Sequence, residues 1–178
     1  MRNPRVAVVD SGIAFDVAGG VNLCGGAEFS DQLGHGTVVA AAILAQAPEI
    51  ELFSVKVFGD ALDAPASRVA EAITWCAANG MDFVNLSLGS EDEFPIHAPK
   101  DMVIVAPAHC FPGRSGGVIA VRAAIFHQGP PKQVEAGLFR ASPYPPPLPG
   151  LPAARNAMGV SFAVANVTAH LIRTASQE

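Results

Sequence analysis

Charge is scarce in this chain. Acidic and basic residues make up 15% of its 178 residues, half of all residues are hydrophobic, and the formal net charge is −5. No run of lysine or arginine occurs. That balance argues against nucleic acid as a partner. Cysteine is scarce too. Cys24, Cys76 and Cys110 are odd in number and scattered, which does not fit a disulfide framework and fits a reducing compartment. No CxxC pair points to structural zinc, and no Asp/Asn cluster has the spacing of a calcium loop. No metal or cofactor is therefore expected. No stretch approaches the ~20 apolar residues that span a bilayer. The apolar run in MRNPRVAVVD is too short for the core of a signal peptide. The chain reads as cytoplasmic, without a membrane partner and without internal repeats. Its length suits one domain over residues 1–178.

The pattern that is present alternates strands with helices. RVAVVDSG is a β-branched run closed by Asp10, Ser11 and Gly12, the signature of a buried parallel strand. Residues 13–33 are glycine-rich and read as a surface loop. A helix is predicted over 35–46, stopped near Pro48, and a strand over 50–58. The next helix ends at Gly80, and strands follow over 81–90, 101–108 and 116–124. The fold class is α/β: a three-layer, mostly parallel twisted sheet with helices on both faces. Residues 128–152 break the pattern, holding eight of the fifteen prolines. Neither a helix nor a central strand is expected there. Composition alone fits a disordered linker. The helix that follows, GVSFAVANVTAHLIRTAS, is apolar around most of its circumference and should be buried. The proline-rich loop then becomes a long excursion inside one domain, near the cleft.

Three residues suggest chemistry. Asp10 ends the first strand, and open α/β sheets gather ligands at strand carboxyl ends. His35 lies between two glycines in GHGTVVAAAI, at the mouth of a small-residue helix. Taken alone, it reads as a half-buried histidine at a helix start. Ser161 opens the last helix in GVSFA, which is not GxSxG. Acyl transfer needs a hydroxyl nucleophile, an imidazole base and a carboxylate that fixes the imidazole tautomer. Asp10, His35 and Ser161 occur in one of the known chain orders for that set.

VAVVDSGI, GHGTVVAAAI and GVSFAVANVTA resemble the Asp, His and Ser boxes of the subtilisin-like serine peptidases, the subtilases. The resemblance covers most of residues 5–175 and implies a catalytic triad of Asp10, His35 and Ser161. VNLSLGS resembles the family's substrate-binding strand, so Ser87, Leu88 and Gly89 would line the cleft. VIVAPAHC and GVIAV match the next two strands. The resemblance also implies an oxyanion-binding Asn after VIVAPA, where this chain has Cys110, preceded by His109. A thiol is a weak donor, and losing one such amide costs roughly 3–4 kcal/mol of transition-state stabilisation. Ala165 and Asn166 depart from the family pattern as well, at packing positions. Asp10 lies near the start, so a minimal member without a pro-domain is expected. The acidic stretch EDEFP reads as a solvated loop, or as a preference for basic substrates.

The expected function is a serine endopeptidase acting on a restricted peptide or protein substrate through an acyl-enzyme. Maturation of a ribosomally made peptide, by leader removal or macrocyclisation, would fit it. The alternative is a catalytically impaired pseudo-peptidase that binds peptides without cutting them.

Overall fold

The computed structural model describes residues 2–148, 150 and 157–177. Eight strands form one sheet: β1 (Arg5–Asp10), β2 (Gly19–Asn22), β3 (Glu51–Lys56), β4 (Phe83–Leu86), β5 (Val103–Pro107), β6 (Ile119–Ala123), β7 (Lys132–Glu135) and β8 (Leu138–Ala141). Among the described residues three helices accompany them: α1 (His35–Leu44), α2 (Ala66–Ala78) and α3 (Val160–Ala175). The strand order is β2-β3-β1-β4-β5-β6-β8-β7. All neighbours are parallel except the β7–β8 pair. The expected α/β architecture is therefore the observed one.

Alternate residues of β1 face opposite layers, as the two-residue period of a strand requires. Ala7 and Val9 join Val69, Ala72 and Ile73 of α2 on one face. Val6 and Val8 join α1 and α3 on the other, through Val39, Ile43, Phe162 and Ile172. Ala40, Ala42, Ala165 and Ala169 are fully buried in that second layer. Their small side chains let the two helices lie close to each other and to the sheet.

Two expectations need correction. Residues 13–33 hold an edge strand, β2, rather than loop alone. Its sequence GGVN has one β-branched residue, so the sheet edge of β3 supplies what propensity does not. Residues 128–152 hold β7 and β8, and β8 lies inside the sheet, between β6 and β7. Its four residues, Leu-Phe-Arg-Ala, contain no proline; the prolines flank them. After β8 the chain runs along α3. The Gly159 N–H donates to the Pro143 carbonyl at 2.9 Å. Asn166 Nδ2 donates to the carbonyls of Ser142 and Tyr144, each at 3.0 Å. Residues 149 and 151–156 of this stretch lie outside the described residues.

Candidate active site

β1 delivers Asp10 to the carboxyl edge of the sheet with its side chain fully buried. Oδ1 accepts the Ser11 N–H at 2.7 Å and the Ser11 hydroxyl at 3.2 Å. His35 Nδ1 lies 2.8 Å from Oδ1 and 2.9 Å from Oδ2. A buried carboxylate needs such donors to offset its lost hydration.

His35 is held by the way α1 begins. Gly34 precedes it in the left-handed region, at φ 84°, and has no side chain with which to cap the helix. Two other residues satisfy the first N–H groups instead. Ser11 Oγ accepts from Gly36 N at 2.9 Å. Asp31 accepts from Gly34 N at 2.8 Å and from Thr37 N at 2.9 Å, with the Thr37 hydroxyl at 2.6 Å. Gly36 must be glycine because a Cβ there would collide with the Gly12 carbonyl oxygen and press on Asp10. Both glycines of the GHG motif thus serve the approach of His35 to Asp10.

Electrostatics follow from this packing. Burial alone would push the His35 pKa down, but the hydrogen bond and charge of Asp10, joined by the charge of Asp31, raise it. Burial pulls Asp31 upward, and the hydrogen bonds from Thr37 and Gly34 outweigh it, so its pKa is lowered. Asp31 stays ionised at neutral pH and holds positive charge on His35 from the second side.

Ser161 stands in the first turn of α3. A cavity of about 250 Å³ is lined by His35 and Ser161 together with Ser87, Leu88 and Gly89, and with Asp63 on the α2 side. A second space, of about 680 Å³, also contains His35 and Ser161 and extends past Asp31, Met158 and Phe162. Ser161 Oγ donates to the Ser87 carbonyl at 3.2 Å, and Ser87 Oγ donates to the Ser161 carbonyl at 3.2 Å. Among the described residues no hydrogen bond joins Ser161 to His35. Behind this pair, Ser87 Oγ accepts from Asn85 Nδ2, and Asn85 Oδ1 accepts from Thr168 of α3. Asn85 and Thr168 are fully buried, so the chain of bonds ties β4 to α3.

The structure therefore brings Asp10, His35, Ser161 and residues 87–89 to one place. It does not bring Cys110 or His109 into either cavity containing Ser161. The Cys110 thiol is buried, faces the Pro107 carbonyl at 3.9 Å and packs behind Gly89, where a Cβ would strike the sulfur. Burial, then the charge of Glu91, raise its pKa. Burial pushes the Cys76 thiol up to about 12. Neither is a thiolate near neutral pH. His109 is exposed. The acidic stretch 91–95 lines neither cavity containing Ser161: Glu91 pairs with Arg114 at 3.7 Å, and Asp63 is the carboxylate that lines the smaller cavity. Asn166, read as a packing residue, clamps the chain after β8. Sequence reasoning missed Asp31 and Ser11. An Asp just before a helix that starts on glycine was the available signal.

Among the described residues no group of three or more His, Cys, Asp or Glu could hold a metal ion, and no helix is long and apolar enough to cross a membrane.

The sequence is similar to those of known peptidases. The chain is 39% identical over 100 residues to alkaline elastase YaB of Bacillus sp. (strain YaB), covering 48% of this chain and 26% of that protein. It is 39% identical over 102 residues to subtilisin Savinase of Lederbergia lenta, covering 48% and 37%. It is 33% identical over 109 residues to the minor extracellular protease Epr of Bacillus subtilis (strain 168), covering 53% and 17%. The chain thus matches well under half the length of these relatives. The model of the subtilase family matches residues 2–125, a stretch with Asp10, His35 and residues 87–89 inside it and Ser161 beyond it. By that match, over more than half of its length, the chain belongs to the subtilase family.

Proposed function

We propose that the chain is a serine peptidase that cleaves a restricted set of peptides through an acyl-enzyme. The observation that carries this reading is the pair of buried Asp10 and half-buried His35 at the cavity that Ser161 shares. Asp10 accepts from His35 Nδ1–H and so leaves Nε2 as the basic nitrogen. For the reaction the Ser161 side chain turns from the Ser87 carbonyl toward Nε2, exchanging one hydrogen bond for another. His35 then takes the hydroxyl proton as Ser161 Oγ attacks a peptide carbonyl. The Ser161 N–H, at the positive end of α3, receives developing oxyanion charge. His35 returns the proton to the leaving amine, and water or a second amine releases the acyl group. Maturation of a ribosomally made peptide in the cytoplasm remains the proposed setting, supported by three unpaired cysteines. A fluorophosphonate probe tests the reading: mapped to Ser161 and absent in Ser161→Ala, labelling supports it.

A second reading, a peptide-binding pseudo-peptidase, is favoured by one observation. Cys110, which follows VIVAPA where the family resemblance implies an oxyanion-binding Asn, lines neither cavity containing Ser161. Peptide binding without any probe labelling at Ser161 would select it.

A further inference from the structure

Another cavity, of about 660 Å³, opens at the opposite end of the helix pair. Gln46 bounds it just beyond α1, His170 and Arg173 on the last turns of α3, and His127 and Tyr144 on the chain around β7 and β8. Ser161 and Arg173 are about 18 Å apart along α3, at 1.5 Å per residue. Apart from Gln46, every residue lining it lies beyond residue 125, outside the stretch matched to the family. The site is thus a feature of this chain's own carboxyl-terminal part.

Its lining is chemically one-sided. Arg173, His127 and His170 can carry positive charge, and among the described residues no carboxylate lines the cavity, in a chain whose net charge is −5. Arg173 has no ion-pair partner among the described residues. Glu49 shares a neighbouring space with Arg173 but does not pair with it. The Nδ1 atom of His170 is buried without a hydrogen-bond partner. Burial, and then the charge of Arg173, lower the His170 pKa. An anionic group bound there would relieve both residues.

The walls are already fixed. Asn166 accepts from Gln46 Nε2 at 2.8 Å while donating to Ser142 and Tyr144, so one amide joins α1, α3 and the chain after β8. His127 Nε2 lies 2.7 Å from the Pro130 carbonyl. Prolines at 130, 131, 145 and 146 complete the rim. A rim with little backbone freedom loses little entropy on binding.

We propose that this cavity binds a ligand bearing an oxyanion, phosphate or carboxylate, with Arg173 as its principal charge and His170 and His127 as supporting donors. The planar guanidinium fork fits either group through two parallel hydrogen bonds.

The test follows the histidine rings by NMR in the whole chain. Potassium phosphate, and in a parallel arm potassium citrate, replaces potassium chloride at constant ionic strength. Saturable shifts at His127 and His170, without shifts at the exposed His97 and His109, are expected. A response to phosphate alone assigns a phosphate-bearing ligand, and a response to citrate alone assigns a polycarboxylate. Arg173 is exposed, so Arg173→Gln should fold normally and weaken binding roughly tenfold or more, the worth of one charge-assisted contact. His127→Asn, away from the helices, should weaken it several-fold. No saturable shift with either anion, or equal affinity in Arg173→Gln, overturns the proposal.

Discussion

Replacing Gly36 with alanine probes the contact between α1 and β1 with a single methyl group. A Cβ at that position would overlap the Gly12 carbonyl oxygen and stand 3.0 Å from Asp10 Cβ and 3.2 Å from Oδ1. None of these atoms can retreat easily. Asp10 is fully buried, and Gly12, at φ 108°, is itself pressed against Phe29 and Ser30. The first turn of α1 must move instead, and His35 with it. Overpacking of this kind costs about 1–3 kcal/mol. Alanine returns up to about 1 kcal/mol through its better helix propensity. The net loss of roughly 0–3 kcal/mol lowers Tm by up to about 12 °C in a chain of this size. Chemistry should suffer more than stability. A displacement near 1 Å between reacting groups costs on the order of a hundredfold in rate. Thermal unfolding and the second-order rate of fluorophosphonate labelling at Ser161, measured side by side, give both quantities. A Gly36→Ala variant that labels at the wild-type rate would refute the argument that this glycine exists to seat His35 on Asp10.

Other outcomes follow from the same contacts. Labelling requires neutral His35, so its rate should fall as pH drops through a midpoint above the ordinary value of about 6.5. Asp31→Asn removes one of the charges holding that midpoint up and should lower it. The stability gained from protonated His35 is fully present below the unfolded imidazole pKa and is lost as pH rises through the raised folded value; urea titrations across that window check the sign. Asn166→Ala strands two carbonyls and the Gln46 amide, so unfolding experiments should show a loss of about 2–4 kcal/mol. Cys110→Ala should leave the labelling rate unchanged, since the thiol lines neither cavity containing Ser161.

The parts of this molecule legible in its sequence are those whose signal is local. β1 is a continuous apolar run ending in Asp10, and its burial on both faces explains why no alternation shows. α1 starts where glycine brackets a histidine, and α3 is apolar nearly all round because it packs on α1 and the sheet together. The strands not foreseen draw their order from neighbours. β2 has two glycines in four residues and exists because β3 offers it an edge. β8 is four residues between proline clusters, and its pairing with β6 is invisible from composition. The site divides in the same way. Asp10, His35 and Ser161 stand in recognisable boxes, whereas the role of Asp31 depends on where a glycine-rich loop folds back onto α1. The direction of the Cys110 side chain depends on Gly89, twenty-one residues earlier in the chain.

The central claim is that Asp10, His35 and Ser161 act as one catalytic unit. Labelling rates at Ser161 in Asp10→Asn, His35→Ala and the double variant test it most directly. Residues that work as a unit are strongly non-additive. The account predicts a loss on the order of 10⁴-fold for Asp10→Asn, through the wrong imidazole tautomer, a comparable or greater loss for His35→Ala, and no further loss in the double variant. Losses that multiply in the double variant, or a His35→Ala protein that labels Ser161 at the wild-type rate, would contradict it.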